Sequence, residues 1–163
     1  MERLWAPWRA VYIGKSHGEA CIFCEKLNSA GDEANYLLWR GERVFVLLNL
    51  YPYNNGHLLV APKRHVGDIA DLTAEEILEL GETTRQMTGL LRKAFRPDGF
   101  NIGVNLGTIA GAGVPGHFHV HIVPRWAGDT NFMPVLGDVR VISEALEETY
   151  RKLKAALEEE GRA

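Results

Sequence analysis

The chain has 163 residues, a net charge of −3, and 46% apolar against 24% charged residues. That length suits one domain with a real core, and the mild negative balance excludes a general attraction to nucleic acid or to anionic membrane. No apolar run approaches the roughly 20 residues of a membrane span. The start, Met1-Glu2-Arg3-Leu4-Trp5, lacks the apolar stretch of a signal peptide, so a cytoplasmic protein is expected.

Residues 1–20 carry Trp5, Pro7, Trp8 and Tyr12 without a clear period, an aromatic surface that should dock on this chain's core or on a partner subunit. Cys21-Ile22-Phe23-Cys24 follows, and 27–35 reads as loop or short helix. Residues 36–39 and 43–49 read as two strands joined by the turn Arg40-Gly41-Glu42. The unbroken apolar run Val44-Phe45-Val46-Leu47 predicts a strand buried on both faces. Tyr51 to Gly56 is loop by its Pro, Asn and Gly content, and His57 to Ala61 is the next strand, ended by Pro62.

Thr73-Ala74-Glu75-Glu76 has the form of a capping box. Ile77, Leu80, Thr84, Met87 and Leu91 then mark an amphipathic helix running to about Phe95 and stopped at Arg96-Pro97. Phe100 to Leu106 reads as a strand, Gly107 to Gly116 as a glycine-rich loop. Ile142, Leu146, Tyr150, Leu153 and Leu157 mark a C-terminal amphipathic helix. Strands grouped around one long helix predict an α+β fold with an antiparallel sheet.

The chemistry concentrates after the glycine-rich loop, in His117-Phe118-His119-Val120-His121-Ile122-Val123-Pro124-Arg125. Three of the chain's six histidines alternate here. A spacing of two is the side-chain period of a strand, so the imidazoles share one face and Phe118, Val120 and Ile122 the other. A helix would scatter the rings by about 200° per step. Imidazole is nucleophile, acid, base and metal ligand near neutral pH. The loop's glycines would let backbone N–H groups approach an anion closely.

This stretch resembles the histidine triad (HIT) superfamily of nucleotidyl hydrolases and transferases. So do Asn49-Leu50-Tyr51-Pro52, the run Gly56-His57 to Arg64-His65, and Val104-Asn105-Leu106-Gly107, all in the expected order. Pro124-Arg125-Trp126, Gly128-Asp129-Thr130-Asn131-Phe132 and Arg3-Leu4-Trp5-Ala6-Pro7-Trp8-Arg9 are similar to a branch containing diadenosine tetraphosphate phosphorylases. The resemblance implies a HIT-like fold over a single domain, 1–163, with an N-terminal arm at 1–20 and a C-terminal extension at 127–163. It also implies a two-fold homodimer with strands continuous across subunits.

By the same resemblance His119 is the nucleophile on an α-phosphate and His121 holds phosphate oxygens. Asn49 matches a ribose-binding position, although an Asn at a strand end also caps turns. Asn105, Gly111 and Gly113 match the phosphate side. Many family members carry Ser or Thr near Gly113, where this chain has no hydroxyl, and Thr108 would replace it only if the loop folds back. Arg125 and Lys63 are candidates for distal phosphates and equally for solvated surface charges, Phe45, Leu48 and Leu50 for a base pocket or plain core, and His57 reads as structural.

A lone Cys-x-x-Cys fits a redox pair, half of a metal site, or coincidence. A thioredoxin-like motif would open a helix in a βαβ pattern, which the chain does not show. In related families such a pair joins two histidines matching His65 and His117, which implies zinc on Cys21, Cys24, His65 and His117. The expected activity is cleavage of dinucleoside polyphosphates by water or phosphate. The other reading is a nucleotide-binding scaffold with little turnover.

Overall fold

The computed structural model describes residues 21–130 and 142–161. The aromatic segment 1–20 and Asn131-Phe132, both singled out above, lie outside the described residues. Helix α1 (Ile22–Asn28) follows Cys21 directly. Strands β1 (Leu37–Arg40), β2 (Val44–Leu48) and β3 (Leu58–Pro62) precede a single 3₁₀ turn at Ile69–Asp71. Helix α2 (Ala74–Phe95), strands β4 (Gly99–Val104) and β5 (Val120–Arg125), and helix α3 (Leu146–Glu160) complete the order.

The five strands form one sheet in the order β1-β2-β3-β5-β4, every neighbour antiparallel. All five residues of β2 are buried, because the sheet is covered on both faces. On one face Leu38, Val44, Val46, Leu58 and Ile122 pack against Leu80, Met87 and Leu90 of α2 and Leu153 of α3. On the other, Leu37, Phe45, Leu47, Leu59 and Ala61 pack under Phe23 of α1. Phe45 and Leu48 are thus core.

The capping box at α2 forms as expected. Glu76 N–H donates to Thr73 Oγ1 at 3.2 Å, and Thr73 N–H donates to Glu76 Oε2 at 2.9 Å. Buried Glu76 also receives Arg64, at 3.0 Å from Nε and 2.8 Å from a terminal nitrogen. The start of α2 is thereby tied to the segment between β3 and the 3₁₀ turn.

Several boundaries differ from the sequence reading, most by a single residue, and three bear on the site. Helix α1 begins at Ile22 rather than near Leu27, because Phe23 and Leu27 together give it an apolar side that packs under the sheet. Strand β4 ends at Val104, two residues early. The histidine segment joins the ladder at Val120 rather than His117. β3 ends at Pro62, and beyond Val60↔Val120 the chain before β5 turns away, with Phe118 N–H donating to Val66 O at 2.6 Å.

Candidate active site and metal centre

His121 pairs with Leu59 of β3 on one side and Gly103 of β4 on the other. Directly opposed residues share a face of a sheet, so His121 lies on the α1 side. The extended chain before it brings His119 and His117 to the same side, while Phe118 and Ile122 enter the opposite core. Phe23 covers the site from α1, its ring centroid 4.9 Å from both His117 and His119. The His119 and His121 rings lie 4.9 Å apart.

The proton on His119 is positioned by the backbone. Its Nδ1 lies 2.7 Å from the carbonyl oxygen of His117. A carbonyl only accepts, so Nδ1 carries the hydrogen and Nε2 presents a lone pair. Burial pulls the His119 pKa below the usual imidazole range, against a smaller upward effect of that hydrogen bond. Burial, the larger effect, favours the neutral ring, and the carbonyl selects which nitrogen of that ring holds the lone pair.

His57, read from the sequence as structural, sits beside the triad. It is 1% exposed, and its Nε2 lies 3.0 Å from His121 Nδ1. The Tyr53 backbone N–H donates to His57 Nδ1 at 3.0 Å, and the Tyr53 ring stacks on His121 at 5.8 Å and 14°. The loop carrying Tyr53 is held at two points. Asn54 donates to Asp129 Oδ2 at 2.8 Å, and Asn55 Oδ1 accepts from Thr149 of α3 at 3.0 Å.

The four metal-ligand candidates meet in space. His117 Nε2–H donates to Pro62 O at 2.8 Å, which turns its Nδ1 lone pair toward Cys21 Sγ at 3.3 Å and Cys24 Sγ at 3.6 Å. His65 Nδ1 lies 3.4 Å from Cys24 Sγ, and the four donor atoms are within 4.8 Å of one another. Ligands about 2.0–2.3 Å from a tetrahedral ion stand about 3.3–3.8 Å apart; the Cys21–His117, Cys24–His65 and Cys24–His117 contacts have that spacing and no pair exceeds 4.8 Å, so the four residues could hold a metal. The Pro62 carbonyl supplies the outer hydrogen bond that orients a ligating histidine. Cys21 does cap a helix, but in an antiparallel sheet without a βαβ unit.

The other candidates divide. Asn49 Oδ1 accepts from Tyr51 N–H at 3.0 Å, and its Nδ2 lies 3.3 Å from His57 Nδ1. Asn105 reaches across to Gly111 O at 3.5 Å. Gly111, at φ +93°, uses its N–H to close a turn on Thr108 O at 3.0 Å. Half-buried Gly113 follows, and Thr108 itself is exposed. Arg125 is engaged elsewhere. It makes a two-pronged pair with Asp129, at 2.6 and 2.9 Å, and reaches Asn101 Oδ1 at 2.7 Å. Its guanidinium braces a turn.

A family model described as the HIT domain matches residues 32–128. The chain belongs to the HIT family. Among HIT relatives it is 41% identical to the AP-4-A phosphorylase of Mycobacterium tuberculosis (strain CDC 1551 / Oshkosh), over 94% of this chain and 83% of that protein. Its fold superposes on a Zn-bound histidine triad family protein from Mycobacterium smegmatis with a TM-score of 0.70. That match has 30% identity and covers 88% of this chain and 96% of the other. Plasmodium falciparum diadenosine triphosphate hydrolase, crystallised with Cyclomarin A, matches at a TM-score of 0.62 and 25% identity, over 76% and 77% of the two chains.

Against the HIT motif, the residues that sequence reasoning did not place in the site are His57, Tyr53 and Phe23. One signal for His57 was available. It shares strand parity with Leu59 and Ala61, the face that β3 presents beside His121. Tyr53 and Phe23 gave no such signal, since both contacts depend on how a loop and a short helix close over the sheet.

Proposed function

We propose that this HIT protein is an enzyme that cleaves dinucleoside polyphosphates, such as diadenosine tetraphosphate, at an α-phosphate through a nucleotidyl-histidine intermediate. The observation that carries this is the 2.7 Å bond from His119 Nδ1 to His117 O, which leaves a neutral, buried Nε2 lone pair beside His121. The 41% identity to an AP-4-A phosphorylase supports the substrate class.

In this reading Nε2 of His119 attacks the α-phosphorus and forms an N–P bond. The bond from that phosphorus to the bridging oxygen breaks, and the oxygen leaves as a nucleoside triphosphate. His121 holds the oxygens on which charge develops. In the second step water or inorganic phosphate attacks the same phosphorus, the N–P bond breaks, and His119 is restored. Asn49 meets the ribose. Asn105, Gly111 and Gly113 shape the phosphate side, and the positive φ of Gly111 sets that turn.

We read the ion on Cys21, Cys24, His65 and His117 as zinc in a structural role, holding the triad segment to α1 and supplying no group to the reaction. We read 1–163 as a single HIT domain, with arm 1–20 and extension 127–163. Its homodimer would form through β4, an edge strand with Ile102 half exposed and open space above Gly99 and Gly103. We read the protein as cytoplasmic; among the described residues no helix is long and apolar enough to cross a membrane.

Product analysis with diadenosine tetraphosphate tests the reading. AMP with ATP indicates water as acceptor. ADP with ATP, appearing only when phosphate is added, indicates phosphorolysis. Binding without any product would leave a nucleotide-binding scaffold instead.

A further inference from the structure

We infer that Asn49 is a positioning residue: with the Tyr53 backbone amide it locks His57, and through His57 the triad's His121, in one tautomer, so that His121 presents an N–H and not a lone pair at Nε2. This goes beyond ribose binding at Asn49. Its consequence for turnover rests on the nucleotidyl-transfer reading, whereas the tautomer assignment does not.

The argument runs from the backbone outward. The Tyr51 N–H donates to Asn49 Oδ1 at 3.0 Å. This fixes which way round the amide sits, and the atom turned to His57 Nδ1 at 3.3 Å is therefore the NH₂ donor. The Tyr53 N–H donates to the same Nδ1 at 3.0 Å. A ring nitrogen facing two donors must be an acceptor, so neutral His57 carries its hydrogen on Nε2. That Nε2–H points at His121 Nδ1, 3.0 Å away. His121 Nδ1 is then an acceptor, and its own hydrogen sits on Nε2.

The outcome is complementary to His119. There a carbonyl, which only accepts, holds the hydrogen on Nδ1 and leaves a lone pair at Nε2. Two adjacent rings, one on β5 and one just before it, thus end in opposite states, one an electron-pair donor and the other a hydrogen-bond donor. Attack on phosphorus with simultaneous support of the phosphate oxygens needs that pairing. Near-identical imidazoles acquire it because one touches a backbone oxygen and the other ends at backbone and amide N–H groups.

Asn49→Asp is the discriminating substitution. A carboxylate has the same shape and also accepts ribose hydroxyls, so a residue that only binds ribose should tolerate it. A tautomer lock should not, because an acceptor replaces the donor facing His57 Nδ1 and draws a hydrogen onto that nitrogen.

The experiment is ¹⁵N imidazole NMR of the full chain at about pH 8.5, two units above the ordinary histidine pKa of about 6.5, together with steady-state kinetics on diadenosine tetraphosphate. In the unsubstituted protein His57 and His121 should each be protonated on Nε2 and His119 on Nδ1. In Asn49→Asp the His57 Nδ1 should become protonated, and kcat should fall about 10²-fold with KM little changed. Asn49→Ala, which removes one of the two donors and leaves the Tyr53 amide as the other, should loosen the lock, so that a second His57 tautomer becomes populated and kcat falls, though less than in Asn49→Asp. Protonation of Nδ1 on His57 or His121 in the unsubstituted protein would overturn the inference on spectra alone. So would an Asn49→Asp protein with unchanged tautomers and full kcat. Absence of turnover in the unsubstituted protein, with the spectra as expected, would instead count against the nucleotidyl-transfer reading.

Discussion

His117 gives its backbone carbonyl to His119 Nδ1 at 2.7 Å and turns its own ring toward Cys21 and Cys24. One residue therefore belongs both to the four-residue group that could hold a metal and to the support of His119, the proposed nucleophile. A metal held there would anchor His117 through its side chain, and that anchoring would reach His119 through the main chain.

Removing the metal should therefore show in both stability and turnover. Elemental analysis of the purified protein should find about one zinc per chain. Cys21→Ser should lose it and lower Tm by roughly 10 °C. Metal-free protein with two free thiols and an undiminished Tm would remove the site from consideration.

His119→Ala should still bind nucleotide but lose turnover by about 10³-fold or more. Rapid quench followed by mass spectrometry should find a nucleotidyl adduct on the unsubstituted chain and none on the variant. An adduct mapping to His121 would reverse the roles of the two rings.

Asp129 makes an acid-sensitive brace. Arg125 holds its carboxyl well below the usual range, to about 2, with the Trp126 N–H and Asn54 assisting. An unfolded aspartate titrates near pH 4, so the native state gains from the ionised form above that pH and loses the gain as pH falls through about 2. Arg125 is 43% exposed, and solvent screening holds the contribution to about 1–2 kcal/mol. Asp129→Asn should lower the urea midpoint at pH 7, and the gap to the unsubstituted protein should narrow as pH falls from about 4 toward 2. A gap independent of pH would mean that the ion pair is not its source.

Strand β4 supplies the test of assembly. Ile102 is half exposed on an edge strand. Ile102→Lys places a charge where two such edges would meet, a device that blocks edge pairing. Light scattering should find a dimer for the unsubstituted chain and a monomer for this variant, with far-UV circular dichroism unchanged. A unsubstituted chain that is already monomeric would discard the β4 interface.

The sequence was most readable where structure is local. The capping box and the end of α2 depend on neighbours within a turn, and they formed at the expected residues. The burial of β2 on both faces followed from four consecutive apolar residues. The shared face of the histidines followed from their parity, although only His121 sits in the ladder itself. What escaped notice depends on register between distant strands. The contact of His57 with His121 exists because Leu59 is opposite His121, and the strand parity of His57 points to it only once those two strands are known to be neighbours. Arg125 was left open between a distal-phosphate contact and a solvated surface charge for a different reason. Its partner Asp129 is four residues away, but in a turn whose geometry brings the carboxylate back onto the guanidinium.

The loop that carries Tyr53 is pinned by the Asp129 turn on one side and by Thr149 on the other. Helix α3 is remote in sequence from every imidazole, yet it steadies the amide that addresses His57. A chain cut short before Leu146 would lose both the Leu153 packing on the sheet and the Thr149 contact to Asn55, so a helix without one reactive side chain bears on how the histidines are aligned.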